Sequence, residues 1–583
     1  MDAVRVFPVR ALPSTIRLRP IRLNVGALIF WLAAGAYLLV AGFTVLALNI
    51  VPGDSLSRVG IAERVLFSRD PHLEAIGFVW NPMQSLPLLP LIPLKFLWPD
   101  IVRLGFAAAI VSALFMAGAV YQIHATLRDF GAGRLPRLVL TVLFAVHPMI
   151  LYYAVNGMSE AMLLFFLLIA TRQLAGWLSG GHPPQLAYAG LALGGAYLSR
   201  YEAIGPAVAA IVVVLAASFI RSRGQHKDRL ATPICDALIV ATPVVATFTL
   251  WALASWIIVG HPFEPFTSVY GNASQVHLAQ HQGVAAALES TQGWLPAASM
   301  ALRRALILEP FALILIVVAV VVAFGKREAR VVAPLAVFGA VVAFMLALYL
   351  RGALFGELRY FIAVIPAATL LIGTLLPDRR PSRPTSVSPD MTRPRRRVVA
   401  VGTTIVLVGL AASALPVAAI GLTNRSIARA ESDELTPVLQ FVRHPARGPI
   451  PLRRFITERE VAQAVDSLDL GPGAVLIDTY IGYPIVLGSA HPSQFVIPSD
   501  RDWKVALANP ALAGVQYLLV PSPSDNRFVA LGALDEINTT YPGIYESGAG
   551  VGKLLRSFDA TGESAAWRLF RVTTQSAVVE PGA

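Results

Sequence analysis

A run of about twenty apolar residues is the length that crosses a hydrocarbon core. This chain repeats it about eleven times, at 25–51, 101–123, 135–153, 158–178, 185–199, 203–220, 233–259, 306–324, 331–350, 359–377 and 398–421. That repetition leaves little besides a polytopic α-helical membrane bundle. The composition agrees: 56% of the residues are hydrophobic and 14% charged, with a mean hydropathy of +0.64, outside the range of soluble domains.

The net charge of +12 invites a nucleic-acid reading, which its placement excludes. Basic residues gather in tails and short loops between apolar runs, where they orient helices and meet anionic headgroups; no basic-aromatic recognition module is present. The Arg-rich segment 1–24 reads as a cytoplasmic tail before an uncleaved anchor. Alternating inward and outward from there, the loops with Arg128/Arg134/Arg137, Arg221/Arg223/Lys227/Arg229, Lys326/Arg327/Arg330 and the Arg-rich linker 378–397 all fall inside. An odd number of spans then exports the C-terminus. Cys235 is the only cysteine, so the exported part must hold together by packing alone.

The 25–421 membrane region therefore shows the exterior a first loop, 52–100, and several tight helix-helix turns. Within that loop, Pro82, Pro87, Pro90 and Pro93 forbid a full span through Ser85–Trp98 and favour an interfacial segment. Residues 422–583 have ordinary soluble composition. Short apolar strands at 474–478, 494–498, 515–521 and 567–572, with helical stretches from Val461 and Asp500, imply an extracytoplasmic α/β domain. It has no Gly-rich phosphate loop and no nucleophile or metal spacing.

The charges on the outer face are few, and charge beside apolar helices is costly unless solvated, paired or used. Ser68-Arg69-Asp70-Pro71-His72 puts a guanidinium, a carboxylate and an imidazole within five residues of the first loop, which also holds Asp54, Glu63, Glu74 and Asp100. Flanked by cations, Asp70 suits a general base; it equally suits a helix cap. Arg200 and Glu202, in Leu-Ser-Arg-Tyr-Glu-Ala, form either a phosphate fork or an internal pair. Arg351, Glu357, Arg359 and Tyr360 open span ten as a second anion-binding candidate, on the side where arginines are disfavoured. Asn156 and Glu160 open span four in Asn-Gly-Met-Ser-Glu and read as supporting residues. His147 and His261 read as structural. No His/Cys/Asp/Glu spacing supports a metal or other cofactor, and a divalent cation is left without a ligand set.

The order of these motifs along 25–377 resembles the glycosyltransferase C superfamily, nearest in pattern to dolichyl-phosphate-mannose protein mannosyltransferases and bacterial polyprenyl-phosphate-sugar transferases. The resemblance implies a multi-pass membrane enzyme taking a polyprenyl-phosphate-linked sugar as donor and a glycan, lipid or protein as acceptor. By position it implies Asp70 as the catalytic acidic residue of the first loop, acting as general base, and Arg200 and Arg359 as contacts to the lipid phosphate; Arg69, His72, Glu202, Arg351, Glu357 and Tyr360 are the further substrate-binding candidates. Protein mannosyltransferases often carry an Asp-Glu pair where this chain has Asp70-Pro71, so a two-carboxylate mechanism is not expected. Two competing readings are a transporter or flippase, which would place charge at the midplane and repeat itself inverted, and a non-catalytic scaffold, which has no need of outer arginines.

Overall fold

The computed structural model describes residues 24–222, 230–268, 270–326, 328–377, 393–524 and 531–573. The basic tail before residue 24 and most of the 378–397 linker lie outside them. Among the described residues eight helices are long and apolar enough to cross a membrane, and two bent pairs raise the number to ten if each pair is one span. The chain is thus a multi-pass helical membrane protein. Arg134–Ala145 meets Pro148–Val155 at 59° and Trp294–Leu308 meets Ala312–Lys326 at 78°. Both breaks fall at a proline, Pro148 and Pro310, which has no N–H to continue the helix and pushes the preceding residue out of it. His147 Nε2 lies 3.2 Å from the Leu308 carbonyl, so the broken helices tie to each other.

The eleventh expected span, 185–199, is the helix Pro183–Ser199 of 17 residues. It stands at the lower end of the lengths that cross a hydrocarbon core. Length and composition give eight to ten spans where eleven were expected.

Beyond the first span the chain forms an interfacial helix, Gly53–Phe67, that buries Leu56, Val59 and Ala62. As the prolines dictate, 82–96 is no span but three short 3-10 turns, Pro82–Gln84, Leu86–Leu88 and Ile92–Phe96.

The C-terminal unit is a five-stranded mixed sheet, β1 Val475–Ile477, β2 Phe495–Val496, β3 Tyr517–Pro521, β4 Gly552–Phe558 and β5 Trp567–Val572. Its order is β2-β1-β3-β5-β4. Strands β2, β1 and β3 are parallel, Val475 standing opposite Phe495 and Tyr517, and β5 and β4 close the edge antiparallel. One face packs on Val461, Ile485 and Trp567, the other on Trp503, Ile537 and Phe570. Four strands fall where the sequence puts them. The fifth, β4, is an edge strand with exposed Lys553–Ser557 and no apolar alternation to reveal it.

This unit docks along the interfacial helix. Its helix Thr479–Gly488 sends the Tyr483 hydroxyl to the Gly53 carbonyl (3.1 Å), and Arg64 donates to Thr479 Oγ1 (3.2 Å). At the far end Arg69 pairs with Asp500 (3.1 Å) and with Asp502, while Asp70 accepts from the backbone and guanidinium of Arg501 (3.3 Å each).

Candidate active site

Asp54 lies in the first turn of Gly53–Phe67, where a carboxylate favours the helix dipole. Arg58 follows four residues later, on the same helical face. Its side chain is buried (5% exposed), yet among the described residues its one hydrogen-bond contact is the Met158 thioether at 3.7 Å. Met158 is presented by a turn that only glycine closes. Gly157 has φ +78°, and a Cβ there would lie 2.7 Å from the Ala108 methyl. Asn156 Oδ1 fixes the turn by accepting from Met158 N (3.1 Å).

Two guanidiniums approach Asp54 and Arg58 from the ends of other helices. Arg200 ends Pro183–Ser199 in extended backbone; it donates to Glu160 (2.8 Å) and Ser159 (3.1 Å) and pairs with Glu202. Arg359, in the turn Leu358–Phe361, reaches Asp54 at 3.3 Å, pairs with Glu357 and stands 4.0 Å from Glu160. Glu160 thus joins the two arginines from beneath. Asp54, Arg58, Arg200 and Arg359, with Glu202, Glu357 and Tyr360, line a cavity of about 270 Å³. That is near the lower end of ligand pockets, enough for a headgroup and not for a lipid.

The carboxylates differ in access. Glu160 and Glu202 side chains are 2% and 4% exposed, whereas Asp54 is 45% exposed to the cavity. They differ in basicity as well. Burial raises the Asp54 carboxyl, but the charges of Arg359, Arg58 and Arg200 outweigh it and hold its pKa below the usual value. Burial pushes Glu357 up, and Arg359 only partly compensates. Burial lowers Arg58 to about 10, which leaves it protonated at neutral pH. Two carboxylates on one guanidinium, driven in opposite directions, are the mark of a site with acid-base work. Among the described residues no group of three or more His, Cys, Asp or Glu side chains is arranged to hold a metal ion.

The structure gathers Arg200, Glu202, Glu357, Arg359 and Tyr360 around the cavity, with Glu160 behind them. It does not bring Asp70 there. Asp70, Arg69 and His72 face the C-terminal unit, His72 Nδ1 lying 2.6 Å from the Asp70 carbonyl. The reason is charge matching: Arg69-Asp70 meets Asp500-Arg501-Asp502, which satisfies both charges outside the cavity. Arg351 is exposed at the end of Val332–Leu350 and does not line the cavity, and Asn156 serves the turn. Asp54 and Arg58 escaped the sequence reading. Their signal was the i, i+4 spacing just after Pro52-Gly53, which puts carboxylate and guanidinium on one face of a helix.

No family model matches the chain, and no curated protein sequence does. Among solved structures it is similar to ArnT from Cupriavidus metallidurans bound to undecaprenyl phosphate, at 14% identity over 94% of this chain and 98% of that one, TM-score 0.47. It is similar to the archaeal oligosaccharyltransferase AglB from Archaeoglobus fulgidus in complex with an inhibitory peptide and a dolichol-phosphate, at 11% identity over 85% and 69%, TM-score 0.37. A third likeness is to the Archaeoglobus fulgidus oligosaccharyltransferase tethered by a disulfide to an acceptor peptide containing the NVT sequon, at 12% identity over 86% and 69%, TM-score 0.35.

Proposed function

We propose that the protein is a membrane glycosyltransferase that moves a sugar from a polyprenyl-phosphate donor to an acceptor hydroxyl on the extracytoplasmic side. The observation that carries this is Arg58: a buried guanidinium with no carboxylate hydrogen bond, one turn from an accessible ionised aspartate. A phosphate fills the vacant fork, and the aspartate is then placed for the attack beside it. The motif resemblance implies the same reaction class. The placement of the basic loops supports an outward orientation of this face.

In the reaction, an acceptor hydroxyl attacks the anomeric carbon while Asp54 takes its proton. The new C–O bond forms as the bond from that carbon to the phosphate oxygen breaks. The electron pair leaves with the lipid phosphate, and Arg58, Arg359 and Arg200 neutralise the charge that grows there. One displacement gives inversion. Glu357, Glu202 and Glu160 aim the arginines. Asp70, outside the cavity, takes no part in the proton transfer.

Native mass spectrometry of the purified protein tests the reading. A co-purified polyprenyl phosphate, with or without its sugar, is expected on the wild type and lost in Arg58→Ala. A wild-type protein carrying no lipid phosphate, even when polyprenyl phosphate is added, would overturn it.

A further inference from the structure

Beside its charged groups the cavity is lined by four amides: Asn81 and Gln84 from the first loop, and Asn272 and Gln275 from the helix Asn272–His281. Each has its nitrogen committed to a backbone carbonyl. Asn81 donates to Tyr197 O, Gln84 to Ser199 O (2.7 Å), Asn272 to Ala353 O (3.4 Å) and Gln275 to Tyr270 O (3.0 Å). Because a carbonyl only accepts, the amide atom facing it must be the nitrogen. The orientation of all four side chains is therefore set by their partners, and none of the four amide oxygens has a partner among the described residues. Gln84 makes the point most sharply: the residue is 5% exposed and its Oε1 is buried with nothing bound to it. Of the four oxygens only that of Gln84 is fully buried, where an acceptor left unpaired is costly, and such a group calls for a ligand that donates.

We infer that these amides select the sugar of the donor: one whose ring carries free hydrogen-bond donors and no carboxylate. The inference rests on the proposed function, since it takes the charged groups for the phosphate. A ring with several free hydroxyls can give one hydrogen to each amide oxygen. A uronic acid would set a carboxylate against oxygens that cannot donate to it, and one of the two N–H groups of each amide is already given to the backbone. Trp80 and Phe355 line the same cavity and offer apolar surface for the carbon face of the ring.

The test compares three short-chain probes on the purified full-length protein: a prenyl phosphate, the same lipid carrying a phosphate-linked hexose, and its hexuronate counterpart. The expected result is that the hexose probe binds at least tenfold tighter than the bare phosphate and the hexuronate no tighter than it. Gln275→Ala and Gln84→Met should each weaken the hexose probe about tenfold, the value of one such hydrogen bond, and leave the bare phosphate unchanged. Unchanged binding of the bare phosphate also shows that each variant is folded. Equal or tighter binding of the hexuronate, or amide variants that leave the hexose affinity intact, would overturn the inference while the phosphate site stands. No binding of the bare phosphate to the wild type would remove the proposed function itself.

Discussion

Asp54 and Arg58 are ordinary residues made unusual by what surrounds them. The aspartate is ionised well into the acid range because three guanidiniums outweigh the cost of its burial. The sign of the resulting pH dependence follows. A base works unprotonated, and a carboxyl held below its usual ~3.9 stays so from neutral pH downward. The acid limb of kcat/KM should therefore be flat from pH 7 to about pH 5 in a steady-state transfer assay; a fall with a midpoint near 6 would assign the base to a different group. At this scale the sequence told half the story. Arg200, Glu202, Glu357 and Arg359 were legible because polar residues at outer helix ends stand out against apolar runs. Asp70 stood out for the same reason, yet the structure sets it outside the cavity against Arg501, 431 residues away in sequence. No local pattern encodes that distance.

The helix Gly53–Phe67 links the site to the C-terminal unit. Its N-terminal turn holds Asp54, and just beyond its C-terminal end Arg69 and Asp70 are clasped by Asp500, Arg501 and Asp502. The two halves of that clasp are unequal. The Asp500 side chain is fully buried and has an unpaired oxygen already, whereas Arg501 is 65% exposed. Arg69→Ala leaves Asp500 buried without its cation and should cost on the order of 1–3 kcal/mol. Arg501→Ala removes a solvated pair worth under about 1 kcal/mol. Thermal unfolding of the full-length protein in detergent should thus show a clear drop in Tm for the first variant and almost none for the second; equal drops would mean that the clasp is not asymmetric. Elements were legible where their period was strong, as in the long spans and the buried strands β1 and β3. They were not where local sequence is weak, as in the exposed edge strand β4.

Across the whole molecule, the helix Arg429–Arg443 ties the bundle to the segment that leads into the C-terminal unit. Glu431 accepts from Tyr153 (3.0 Å) and Glu434 pairs with Arg454 (2.7 Å). Burial, aided by the nearby charge of Glu357, raises Glu431 to about 7. A carboxyl raised in the fold favours the folded state below its unfolded value of ~4.3, and that advantage is lost as pH rises through 7. Glu431→Gln should therefore be stabilising by up to about 2–3 kcal/mol at pH 8 and neutral at pH 4, read as the difference in Tm at the two values. The layout of apolar runs foretold the class of this molecule, and the composition after residue 421 foretold its C-terminal α/β unit. Neither could foretell how that unit docks, because docking depends on side chains hundreds of residues apart meeting across an interface. The most direct test of the whole account is the state of the lipid bound to purified Asp54→Asn, read by native mass spectrometry after incubation with a prenyl-phosphate-linked sugar and acceptor. The donor should remain bound with its sugar attached, because the arginines hold the phosphate while the proton has nowhere to go. Bare lipid phosphate appearing at the wild-type rate would contradict it.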